Sequence, residues 1–129
     1  MTEPDGQQSE EMKMEVRVAV ATSGDGLIDL HFGHADEFWV FGVNAGGVRL
    51  VERRIVEQYC KGGVGDEDKR DVIMRALQDC SALFAARIGN GPRGKLAAVG
   101  MLPVDEYALK EIEPSIEAWH AKYIAATLP

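Results

Sequence analysis

The sequence predicts one α/β domain: a mixed β-sheet with helices packed against it. Three observations carry that expectation. The first half of the chain reads as strands, the second half alternates helix with strand, and 129 residues at 46% hydrophobic and 27% charged bury one sizeable core but not two.

Residues 1–13 (MTEPDGQQSEEMK) hold four acids and almost nothing apolar, so they are expected to form a disordered acidic tail ahead of a domain spanning residues 14–129. Over residues 15–21 the order E-V-R-V-A-V-A alternates polar and apolar and then turns wholly apolar, as a strand entering a core does. The run T-S-G-D-G at 22–26 ends it. Residues 37–43 (EFWVFGV) and 48–56 pair as an antiparallel hairpin around Asn44-Ala45-Gly46-Gly47. The stretch between Gln58 and Asp66 is too rich in glycine for regular structure, and residues 67–79 then place Val72, Ile73, Ala76 and Leu77 at helical spacing. Residues 81–86 (SALFAA) form a short apolar run of the kind buried on both faces of a sheet beside a parallel partner. A helix over 89–100 has Pro92 in its first turn and Gly100 as its stop, and residues 101–104 make a last short strand. Pro114 suits the start of a final helix with Ile116, Trp119, Tyr123 and Ile124 as its apolar stripe, and residues 107–112 add a turn or two before it.

Charge and composition exclude several classes of function. Fourteen Lys plus Arg against twenty-one Asp plus Glu give −7, which disfavours a sequence-independent grip on nucleic acid or on an anionic membrane. The tail holds four of the acids and one lysine, so the remainder of the chain stands at −4. No apolar run approaches the roughly 20 residues that span a bilayer, and the acidic start has no signal-like apolar stretch, so the expected location is cytoplasmic. Cys60 and Cys80 are expected as free thiols rather than a bridge.

The most informative stretch for chemistry is Ile28-Asp29-Leu30-His31-Phe32-Gly33-His34-Ala35, which puts two of three histidines in one loop between strands. Neutral imidazole ligates iron or zinc, and Gly33 is expected to let the backbone turn so that one or both rings face an open site. Alternatively, one ring supports the loop and the other is solvated. Cys60 lies in a glycine loop next to Lys61, a cation that lowers a thiol pKa, and soft sulfur suits iron–sulfur species; the alternative is an unreactive loop thiol. Cys80, between a helix and an apolar strand, is expected to be buried. Two thiols without a C-x-x-C motif cannot complete a four-cysteine site, so any cluster needs other ligand types, another subunit or its own ligands. Where a buried strand feeds a helix, Arg87, Arg93 and Lys95 surround free N–H groups that make either an anion cradle or an ordinary turn. Its G-x-G-x-x-G spacing is a weak dinucleotide signal, because Pro92 removes an N–H within it. Asp25, Asp29, Asp36 and Glu37 flank the histidine loop as solvated acids or as ligands for Mg²⁺. His120 offers no more than an exposed or packed ring.

The order V-A-V-A-T-S-G-D-G-L-I-D-L-H-F-G-H-A-D-E-F over residues 18–38 resembles the dinitrogenase iron-molybdenum cofactor-binding family, which includes NifX, NafY and the C-terminal domain of NifB. The likeness continues through Gln58-Tyr59-Cys60-x-Gly62-Gly63-x-Gly65, Ala85-Ala86-Arg87-Ile88-Gly89-x-Gly91-Pro92 and Gly100-x-x-Pro103-Val104-Asp105, covering roughly residues 16–124. The Q-Y-C loop makes it more similar to the NifB C-terminal domain, here as a stand-alone chain, than to typical NifX proteins. The resemblance implies a ribonuclease-H-like domain that binds a nitrogenase iron–sulfur cofactor or precursor (NifB-co or FeMo-co) without catalysis. It implies passage of that cluster between donor and acceptor proteins of cofactor assembly, with the chain a monomer or weak dimer. The cysteine-rich radical-SAM half of NifB has no counterpart in this sequence, so synthesis of the precursor is not implied. His31 and Cys60 then stand as leading iron ligands, His34 as an alternate, and Arg87, Arg93 and Lys61 as electrostatic contacts. Competing readings are a metal-dependent phosphodiesterase built on Asp25, Asp29 and the histidines, and an adaptor for assembly proteins that touches no metal.

Overall fold

A computed structural model describes residues 15–59 and 68–127. The expected tail therefore lies outside the described residues. The elements are β1 (Val16–Ala21), β2 (Glu37–Asn44), β3 (Gly47–Ile55), α1 (Lys69–Ala76), β4 (Ala82–Phe84), α2 (Asn90–Ala98), β5 (Leu102–Val104) and α3 (Ile112–Thr127), with short 3-10 turns at Phe32–His34 and Val56–Tyr59. They form one five-stranded sheet in the order β3-β2-β1-β4-β5. β2 runs antiparallel to both of its neighbours, whereas β1, β4 and β5 are parallel. This is the expected mixed sheet in its ribonuclease-H-like order.

The central place of β1 follows from its sequence. Val18, Ala19, Val20 and Ala21 are all fully buried, and their alternation sends the two alanines to one face and the two valines to the other. On the alanine face, α1 and α2 cover the sheet with Val72, Ile73, Leu77 and Leu96. On the valine face α3 brings Ile116 and Trp119, the latter edge-on to Phe84 at 5.5 Å between ring centroids. β4, apolar throughout, is buried on both faces and pairs in parallel with β1, as the S-A-L-F-A-A run predicts.

The ends of the elements have local causes. Asn44 Oδ1 accepts from the Gly46 amide at 2.7 Å, and Gly47, at φ +134°, takes the backbone conformation that L side chains avoid. Gly100, at φ +81°, closes α2 as expected. α1 is shorter than the predicted 67–79, and a buried arginine is the reason. Arg54 of β3 donates to the Ala76 carbonyl at 2.8 Å and to both oxygens of Asp79 at 2.6 and 2.9 Å, so the chain leaves the helix to present Asp79. Hydrogen bonding from Arg54 holds the Asp79 carboxyl at about 2, against the cost of partial burial. α3 begins at Ile112 rather than at Pro114, which occupies the first turn, where a missing N–H costs nothing. Cys80 is buried as expected; burial, and then Asp79, push its thiol up to about 12, which makes it a poor nucleophile.

Candidate functional site

The parallel strands β1, β4 and β5 finish on the same edge of the sheet, so residues 22–36, 85–89 and 105–111 gather there. After β1 the chain turns to β2 on one side, whereas after β4 it proceeds to β5 on the other. Such a reversal leaves a crevice outside the carboxyl ends of the strands, the usual place for a ligand in an open α/β sheet.

The loop after β1 is laced across this edge. Asp29 accepts from Ser23 N at 2.8 Å and from Ser23 Oγ at 2.5 Å. Slight burial opposes ionisation of Asp29, but the bonds from Ser23 outweigh it and hold the carboxyl below its ordinary range. Ile28 donates to the Lys110 carbonyl and accepts from the Leu109 amide. Ala86 N donates to Leu30 O at 2.8 Å and Phe32 N to Arg87 O at 3.0 Å, so His31 and Arg87 form a parallel bridge. The loop crosses from one face of the sheet to the other: Ile28 enters the core under α3, Leu30 and Phe32 pack into the core under α1 and α2, and His31 stays exposed.

The H-F-G-H motif folds as a 3-10 turn, with His34 N donating to His31 O at 3.1 Å. Three residues per turn bring positions i and i+3 into register, so the His31 and His34 rings stack at 5.5 Å between centroids and 18° between planes. Both are exposed. Gly33 proves unnecessary for the turn itself, because its φ lies outside the left-handed region and a Cβ there meets nothing within 4 Å. The expectation that glycine permits the turn is thus corrected: the hydrogen-bonded 3-10 geometry and the buried Phe32 make it.

Arg87 lies one strand spacing from His31, is exposed and has no ion pair among the described residues. Arg93 differs, since its guanidinium is paired with Asp105 and reaches the Ile88 carbonyl at 3.5 Å. Lys95 is drawn to Asp71 at 3.5 Å. At the start of α2 the N-cap Gly89 supplies no side-chain bond, and Asn90 and Gly91 are exposed. Cys60 and Lys61 lie outside the described residues. The flanks of their segment are described, and both attach to Asp36, just beyond the histidine turn: Val56 N donates to Asp36 O at 2.9 Å, and Lys69 Nζ donates to its carboxylate at 2.7 Å. Sequence reading missed this double role of Asp36; its place beside H-F-G-H-A was the available signal.

The acidic candidates along this edge are held by partners within the protein. Asp29 is engaged by Ser23, Asp36 by Lys69, and Glu37 by Trp39 Nε1 at 3.1 Å. Among the described residues no three His, Cys, Asp or Glu side chains converge as a metal site, so the phosphodiesterase reading gains no support. His120 lies at the other end of the sheet, in a groove with Val43, Asn44 and Gly47, with Nε2 buried and without a hydrogen-bond partner among the described residues.

The fold and this edge together define a small α/β domain that presents a histidine pair and a cation openly. The family described as dinitrogenase iron-molybdenum cofactor matches residues 14–122, and the chain belongs to that family. It is 45% identical over 119 residues to the FeMo cofactor biosynthesis protein NifB of Bradyrhizobium diazoefficiens, covering 92% of this chain and 24% of that protein. It is 42% identical over 118 residues to NifB of Herbaspirillum seropedicae, covering 92% and 22%. The chain thus spans about a quarter of the length of these relatives. Among solved structures, the apo orange protein of Desulfovibrio gigas shares the fold, with a TM-score of 0.56 at 19% identity over 82% of this chain and 88% of that one. No helix among the described residues is long and apolar enough to cross a membrane.

Proposed function

We propose that this chain is a non-catalytic carrier of a nitrogenase iron–sulfur cofactor or precursor, NifB-co or FeMo-co, which it receives from one cofactor-assembly protein and delivers to another in the cytoplasm. The observation that carries the reading is the exposed, stacked pair His31 and His34 beside the exposed Arg87, which has no ion pair among the described residues, at the carboxyl edge of the central strands. The family and the FeMo cofactor biosynthesis names of its relatives support it. His31 and Cys60 would be the iron ligands, with His34 as the alternate, since imidazole and thiolate both bind iron. Arg87 and Lys61 would offset the charge of an anionic cluster, while Arg93, neutralised by Asp105, would hold the start of α2 at the rim. Few ligands on an open edge favour release, which is what delivery requires. The flanks of the Cys60 segment are fastened to Asp36, close to the histidine turn, and this too supports a shared site.

The test is an anaerobic titration of the metal-free chain with isolated precursor cluster, followed by desalting and iron counting, beside the His31→Ala/Cys60→Ala variant. The native chain is expected to retain iron and the folded variant to lose it. Retention unchanged in the variant would overturn the ligand assignment, and no retention by the native chain would overturn the carrier reading.

A further inference from the structure

On the α3 side of the sheet, two grooves adjoin at the first turn of α3. One, of about 480 Å³, is lined by Leu27, Tyr107, Leu109 and Ala118; the other, of about 470 Å³, by Trp39, Phe41 and Leu50. Glu111 and Pro114 line both. Leu109 is unusual twice over. It is the only non-glycine residue with positive φ among the described residues, at +64°, and its side chain is 68% exposed. Its amide donates to Ile28 O at 2.8 Å, so a left-handed backbone that crowds an L side chain is held in place while an apolar group stands in water. Leu50, across the helix start, is also exposed.

The charges around this trough select its occupant. Glu111, Glu113 and Glu117 line it and are exposed, with Lys110 as the opposing cation beside them. Trp39 lines it too, with the Arg53 guanidinium, itself paired with Glu37, over its ring at 5.6 Å, so the acids of the first turns of α3 are the charges left facing the trough. Residues 1–13 of this chain, with four acids and one lysine, have the wrong sign. A second copy docked about a two-fold axis would set glutamates against glutamates. We propose that the trough docks a basic amphipathic segment of a partner protein, its apolar side chains entering beside Leu109 and Trp39 and its lysines or arginines meeting Glu111, Glu113 and Glu117. Leu27, at the trough, precedes His31 by four residues, so one loop carries both the trough's rim and the histidine turn. The proposal does not require cluster binding.

The experiment uses the full metal-free chain and a labelled peptide of about 14 residues built from leucine and lysine, with leucines at helical spacing. Controls are its scrambled isomer and a leucine and glutamate counterpart. Fluorescence anisotropy is expected to show saturable binding of one leucine and lysine peptide per chain, with ¹⁵N amide shifts confined to the segments around Leu27, Trp39 and Leu109 to Ala118. Affinity should fall about tenfold in Glu113→Lys/Glu117→Lys and in Leu109→Asp, a residue that tolerates the left-handed backbone, and should be unchanged in His31→Ala. Equal binding of the scrambled peptide, shifts on another face, or indifference to both variants would overturn the proposal. So would sedimentation showing the free chain to be a dimer with these residues covered, which would make the occupant a second copy. Failure of the cluster titration with success here would leave the docking site standing, and the reverse outcome would remove it alone.

Discussion

Arg54 and Arg87 are both guanidinium groups carried at or just beyond the end of a strand, yet their surroundings have opposite character. Arg54 is 8% exposed and saturated: it donates to the Ala76 carbonyl, to both oxygens of Asp79, and to Glu52 at 2.8 and 3.0 Å. Arg87 uses its backbone to hold the histidine segment and leaves its side chain exposed, without an ion pair among the described residues. A buried cation of the first kind cannot exchange its partners without loss of structure, because removal of one group strands the others. An exposed cation of the second kind gives the fold little and is free to meet an external anion. The same contrast separates Cys80, buried with its thiol pushed to about 12, from the exposed histidine pair.

The sharpest test of the contrast is Phe32→Ala. Phe32 is 2% exposed within the core under α1 and α2, and it is the pin that holds the histidine turn. Its truncation should cost about 3 kcal/mol in denaturant unfolding and should also abolish iron retention, because the two rings lose their common base. Full retention in the folded fraction would mean that the hydrogen bonds from Phe32 N to Arg87 O and from Ala86 N to Leu30 O suffice to set the turn. Next in size, Arg54→Ala should cost about 2 kcal/mol by leaving Asp79 and the Ala76 carbonyl unpaired, discounted because Asp79 reaches solvent. Here iron bound per folded chain should not change. A loss of iron without a loss of stability would break the division between structural and functional cations.

Acid should reveal the Arg54 cluster on its own. The Asp79 carboxyl titrates at about 2 in the folded chain against an ordinary 3.8, so its stabilisation is present above pH 4 and is lost as pH falls from about 4 toward about 2. Because Asp79 is partly exposed, the loss should be about 1 kcal/mol rather than the full linkage value. Asp68, also held at about 2 by hydrogen bonds from Arg70, titrates in the same window. Asp79→Asn therefore serves as the reference, and an unchanged slope of unfolding free energy against pH in that variant would assign the effect elsewhere.

Most elements could be read from periodicity because their burial is strong. The shift from alternating to continuous apolar residues in β1, the S-A-L-F-A-A run of β4 and the glycine stop after α2 each have one dominant local cause. The end of α1 was not legible, since Arg54, twenty-two residues earlier, sets it through the Ala76 carbonyl. Within the site, the histidines and Arg87 were legible as chemistry but their juxtaposition was not. It depends on Phe32 facing inward and on a bridge between His31 and Arg87, a pairing across the sheet that residue spacing does not encode. The Arg93–Asp105 pair and the double attachment of Asp36 were hidden for the same reason, as both join segments distant in sequence.

The smallest expected effect on stability is the most discriminating for function. Arg87→Gln keeps the backbone ladder to Leu30 and Phe32, so unfolding free energy should change by no more than about 0.5 kcal/mol. If the guanidinium faces an anionic cluster, iron retention after desalting should weaken about threefold to tenfold. The rate of cluster uptake should also lose part of its dependence on salt, because steering by an exposed charge is screened over about 10 Å at 0.1 M ionic strength. Arg87→Lys should restore the salt dependence, since it returns the charge, while recovering less of the retention if the guanidinium fork makes directed hydrogen bonds. Glutamine retaining iron as well as arginine does at low salt would mean that the cation plays no part, and the histidine pair with Cys60 would then have to account for binding by ligation alone.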